Sequence, residues 1–109
     1  MSQFSSFLDD IAGGATALAR QTLQGFVAQA QSDTSDFINQ SKQQLNEFTV
    51  QLAQGQLSQD EFADLVGGLK DLATMQALTE VGIAAARVQH FRDALIKLVI
   101  DTAFKTFLP

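Results

Sequence analysis

Cysteine, tryptophan and tyrosine are absent from this chain, and its single proline is the last residue, Pro109. Without cysteine there is no disulfide, no thiolate metal site and no cysteine nucleophile. Without an internal proline, no ring forces a helix to stop between Met1 and Leu108. Charge is scarce as well: 17% of residues are charged, against the usual quarter, and the net charge is −5. Arg20 and Lys42 are the only basic residues before residue 62, so no basic face is offered to nucleic acid and attraction to anionic lipid is weak. No run of about 20 uncharged apolar residues occurs, as a bilayer-spanning helix would need. The N-terminus has no basic stretch followed by an apolar run, so a Sec-type signal is not read and the expected compartment is the cytoplasm.

What is present is apolar and helical in pattern. Hydrophobic residues make up 46% of the 109, and nine phenylalanines supply all the aromatic bulk. That length fits one domain, 1–109, with little spare core. Val, Ile and Thr never alternate with polar residues long enough to make a strand. The fold class is all-α.

The clearest punctuation is AQGQLSQDEF, residues 53–62. Gly55 suits the left-handed residue that closes a helix. Ser58 and Glu61 have capping-box spacing, and Leu57 and Phe62 occupy the two staple positions beside it. Asp60 and Glu61 would face the positive end of the new helix. The spacing therefore predicts a long antiparallel hairpin with arms of about 3–54 and 59–107, joined by a turn near 55–58. Fully helical, each arm would run roughly 75–80 Å.

Apolar rows repeat every eleven residues, about three helical turns, so each row lies nearly straight along one face. Phe26, Phe37 and Phe48 form one in the first arm; Val66, Ala77, Val88 and Val99 form one in the second. Phe62, Ala73, Ala84 and Leu95 run beside the latter. Against continuity stand Ser32, Asp33, Thr34, Ser35 and Asp36, which prefer caps and turns to helix interiors. Gly67, Gly68 and Gly82 each cost a helix about 1 kcal/mol relative to Ala. Breaks at 32–36 and 67–68 would convert the hairpin into a three- to four-helix bundle. Folding back at 55–58 makes residue i face roughly residue 113 − i. Phe26 then meets 84–88, Phe37 meets Ala73 and Ala77, and the small run 12–19 lies across from the bulky 94–101, large against small.

The chain ends on DALIKLVIDTAFKTFLP, apolar nearly all round except for Asp93, Lys97, Asp101 and Lys105. Asp four residues before Lys favours pairs within the helix, each worth a few tenths of a kcal/mol. A helix this apolar needs several neighbours, and one folded-back arm cannot supply them. Leaving about eight large side chains wet would forfeit on the order of 10–20 kcal/mol, as much as a domain's whole stability. Leu95, Leu98, Val99, Ile100, Phe104, Phe107 and Leu108 are therefore expected to meet other copies of the chain in a homo-oligomer. A compact bundle covering this helix itself, a different helical protein, and lipid reached after a conformational change are the other covers weighed, lipid being less favoured. The expected role is that of a non-enzymatic structural or assembly protein. The alternatives are a membrane-active or pore-forming protein, or a helical adaptor.

Signals for chemistry are weak. His90 is the only histidine, and only Asp93 stands at helical spacing from it, so an exposed or capping role is the simpler reading. Asp9-Asp10 and the Asp60, Glu61, Asp64 group read as first-turn acids or solvated pairs rather than cation sites. GGLKD and AGGAT lack a Walker lysine–hydroxyl pair and a flanking strand. No catalytic residue, cofactor or metal site is nominated.

FSSFLDDIAGG, residues 4–14, resembles the double-glycine leader of peptides exported and cleaved by peptidase-containing transporters, with Leu8 and Ile11 at the apolar spacing before Gly13-Gly14. The resemblance implies cleavage before Ala15 and a membrane-active mature peptide. Read from the residues alone, the same stretch is a small-residue packing patch opposite 94–101. In size and hairpin plan the chain also resembles, loosely, the needle subunits of bacterial type III secretion, which carry a proline-containing turn missing here.

Overall fold

A computed structural model describes residues 2–108. Ser2 opens the first helix by accepting the Ser5 N–H on its hydroxyl at 3.1 Å, and α1 runs Gln3–Thr22. Its apolar residues Phe7, Ile11, Ala15 and Ala19 recur every fourth position and make one buried stripe. At Gly25, φ is 87°, a left-handed value that costs glycine nothing and other residues a good deal. The chain turns there, and α2 then runs unbroken over Val27–Ala53.

The first arm is thus not continuous, and its break lies at 23–26 rather than at 32–36. Ser32 to Asp36 are all helical, and the capping chemistry of Asp33 is directed elsewhere. Asp33 is buried, and its two carboxylate oxygens accept the N–H groups of Ala77 and Leu78, each at 2.9 Å. These are the orphan donors of another helix, α4 (Gln76–Glu80), whose own N-cap residue Met75 supplies no side-chain cap. A cap residue in the middle of one helix caps the start of a second.

The turn at 55–58 is present as expected, with Gly55 at φ 76°. Both halves of the capping box form: the Ser58 N–H donates to Glu61 Oε1 at 2.9 Å and the Glu61 N–H to Ser58 Oγ at 3.1 Å. From there α3 runs Gln59–Gly67 and tightens at Gly68 into a 3-10 segment, Gly68–Leu72. A break at 67–68 therefore exists, as a change of helix type. Gly82, at φ 85°, makes a further turn, after which α5 spans Ala85–Phe107.

Among the described residues the result is an all-α bundle of five α-helices in which α5 packs against α1, α2, α3, α4 and the 3-10 segment, and α2 likewise touches every other element. The bundle's extents are 42 × 26 × 20 Å, so the long hairpin is replaced by a molecule about as long as α2 alone, roughly 40 Å at 1.5 Å per residue. Four fully enclosed phenylalanines, Phe7, Phe37, Phe62 and Phe91, come one each from α1, α2, α3 and α5. Each such burial is worth about 1.5–3 kcal/mol, which is how four amphipathic helices are held to one centre.

One part of the expected fold-back pairing, α1 against α5, survives the extra breaks. Leu98 packs on Gly14, the Arg87 guanidinium donates to the Thr22 carbonyl at 2.9 Å, and Phe7 meets Phe107 edge-on at 5.4 Å between ring centres. The small run 12–19 does lie across from 94–101.

Candidate interaction surface on the last helix

The seven residues expected at an interface fall into two groups. Leu95 and Val99 have no exposed surface, being enclosed by the chain's own helices. Leu98, Ile100, Phe104, Phe107 and Leu108 are half-buried. Phe104 holds its ring 5.8 Å from that of Phe62, and Phe107 packs on Phe7. The reason is the added breaks: a hairpin has one arm to lay over α5, whereas this bundle has α1, α2, α3 and α4. Most of the cover that α5 demands is therefore internal.

What stays outside is the charged ribbon with an apolar margin. Asp93, Lys97, Asp101 and Lys105 are all exposed. By helical geometry Ile100 and Phe104 lie on one side of the ribbon, and Ala94 and Leu98 on the other. On the second side the surface continues onto α1 as a shallow groove of about 230 Å³ lined by Gly14, Leu18, Ala94, Lys97, Leu98 and Asp101. The Leu98 side chain fills the space over Gly14: a Cβ added to Gly14 would stand 2.9 Å from Cδ1 of Leu98.

His90 is exposed, as are Asp9, Asp10, Asp60 and Asp64. Among the described residues no group of three or more His, Asp or Glu side chains is placed to hold a metal ion. The carboxyl of Glu61 is held below its ordinary value by the Ser58 backbone N–H and then by the Ser58 hydroxyl, the capping box itself. Gly13-Gly14 lies inside α1, and the leader-like stretch around it contributes Phe7 and Ile11 to the core. No described helix is long and apolar enough to cross a membrane.

Two determinants escape the sequence reading. Gly25 sits between apolar residues whose eleven-residue rows run on across it. Asp33 sits in a stretch whose cap preference is legible, though not the helix it serves. Comparison with protein-family models, with curated proteins and with solved structures returned no match.

Proposed function

We propose that the protein is a non-enzymatic structural protein that self-associates through the outer face of α5. The observation that supports this is the ribbon Asp93, Lys97, Asp101, Lys105, exposed between two half-buried apolar margins. The sign of its charges alternates at every fourth residue. Two copies packed antiparallel about a two-fold axis near Val99 bring Asp93 opposite Lys105 and Lys97 opposite Asp101, so every pair attracts. In a parallel pairing each charge faces its own like. A two-fold interface is built from one patch meeting itself, and this pattern is self-complementary in that arrangement only. Leu98, Ile100, Phe104 and Leu108 would supply the apolar contact, while Leu95 and Val99 act from beneath by holding the face in shape.

Sedimentation equilibrium tests it. The expected result is a dimer at high micromolar concentration that weakens with salt. Asp101→Lys should dissociate it, and Lys97→Asp combined with Asp101→Lys should restore it, because the swapped pair is again complementary. A wild-type protein that remains monomeric at several hundred micromolar would end the proposal.

A further inference from the structure

The turn between α1 and α2, residues 23–26, carries few of the devices that close the others. Ser58 and Glu61 cap the start of α3, and Asp33 caps α4. Phe26 stands at the N-cap of α2 with no side-chain hydrogen bond. Of the six N–H groups of residues 24–29, that of Phe26 alone finds a backbone acceptor, the Leu23 carbonyl at 2.9 Å. One continuous helix would pair all six. The buried stripe also ignores the turn. Ala19, Leu23, Phe26, Ala30, Thr34 and Phe37 are buried or half-buried and follow one another by three or four residues, the spacing of one face of a single helix. At Gly82, the other turn that opens on an uncapped helix, 84–87 are exposed and no such stripe passes through. What the turn at 23–26 does need is Gly25. An added Cβ there would meet nothing within 4 Å, so the requirement comes from the φ of 87° and not from a neighbour.

We propose that this turn is a hinge through which the chain exchanges α1 with a second copy of itself. Opened, 3–53 becomes one helix of roughly 75 Å with its stripe on a single face. The α1 of each copy then takes the place of the other's, so the contacts of Gly14 with Leu98 and of Phe7 with Phe107 are remade between chains. Only the turn changes, and the half-buried Phe26 and Val27 of the two chains meet where the long helices cross. Exchange of an identical element is a low-cost route to a dimer, because it reuses contacts the monomer already has. It uses none of the α5 ribbon and stands whether or not that ribbon self-associates.

Pulsed dipolar electron spin resonance on the full chain tests it. Ser5→Cys and Gln43→Cys lie at exposed positions, and with no native cysteine they label uniquely. Phe4 and Gln43 line one groove in the closed chain, so the labels are neighbours there. In a single helix over 3–53 they stand roughly 55–60 Å apart. Labelled chain is refolded from urea with an excess of unlabelled chain, all carrying Asp101→Lys so that ribbon pairing does not contribute. Gly25→Ala penalises the turn and favours the helix, by at least about tenfold per chain. With two hinges in each dimer, its dissociation constant should fall about a hundredfold. The expected result is a dimer at several hundred micromolar, with the long separation present in proportion to it. Gly25→Asn, which accepts positive φ at less cost, should raise the dimer by a smaller factor, and it decides the matter if Gly25→Ala fails to fold. A folded variant that stays monomeric, or a dimer in which the labels remain neighbours, would overturn the proposal.

Discussion

Gly14 of α1 and Leu98 of α5 approach so closely that a methyl group on Gly14 would stand 2.9 Å from Leu98 Cδ1. Its neighbour Gly13 points into open space, with nothing within 4 Å of an added Cβ. Both occupy the interior of α1, where glycine costs about 1 kcal/mol relative to alanine. Gly13→Ala should therefore raise stability by close to that amount, several degrees in melting temperature for a domain of this size. Gly14→Ala should recover less, because the half-exposed end of Leu98 must swing aside. Gly14→Val should lower stability by wedging the two helices apart. Thermal unfolding of the three variants checks the order.

Asp33 caps α4 across 44 and 45 residues of sequence, through Ala77 and Leu78. Hydrogen bonds to a charged acceptor contribute about 1.5–3 kcal/mol, and two donors would be left without one. Asp33→Ala should cost about 2–4 kcal/mol in urea denaturation. Asp33→Asn should recover little, because one face of the amide turns a donor toward a donor. Hydrogen exchange should show the Leu78 amide losing protection before the rest of the core.

Thr34 lies beside it, buried, with Oγ1 unpartnered. A buried hydroxyl without a partner carries a desolvation cost of about 1–3 kcal/mol. Thr34→Val keeps the β-branched shape and removes that cost. The midpoint of urea unfolding should rise, by the equivalent of about 1 kcal/mol.

The capping box predicts a pH dependence. Glu61 titrates below its ordinary value of 4.5 in the folded chain because Ser58 donates to its ionised form. The unfolded chain therefore binds the proton more readily. Its contribution to stability is present in full above the unfolded value, and is lost as pH falls through the folded one. Glu61→Gln should flatten that part of the stability–pH curve between about pH 5 and pH 3, whereas Ser58→Ala, which keeps the backbone N–H, should flatten it only in part.

The two groups on α5 should respond in opposite ways to charge. Val99→Asp places an unpaired carboxylate where no surface is exposed, and the several kcal/mol this costs is a large share of a small domain's stability. It should yield unfolded or insoluble protein. Leu98→Glu, on the half-buried margin, should fold with a normal circular dichroism spectrum and lose only the proposed self-association.

The sequence made local features legible and left the route of the chain partly hidden. The Ser58–Glu61 box and the Gly55 turn were readable because every group involved lies within ten residues. So was the placement of 12–19 across from 94–101, since a fold-back about 55–58 brings those segments together whether or not the arms are straight. The break at Gly25 was obscured because Leu23 is buried and Phe26 half-buried on either side, so the apolar pattern runs on through the turn. The cap preference of Asp33 was visible, but its recipients are distant in the chain. That same gap hid how fully α5 is covered. Seen as one of two arms, Leu95 and Val99 needed other molecules; surrounded by four helices, they do not.

The ring of Phe7 rests against that of Phe107, a hundred residues later in the chain. During synthesis α1 emerges well before α5, and until α5 follows it has only α2 of the two helices it packs on. For that interval Phe7 and Ile11 are sticky surface rather than interior. The centre is thus complete only once α5 has emerged, and chaperone capture before that moment should be strongest at α1.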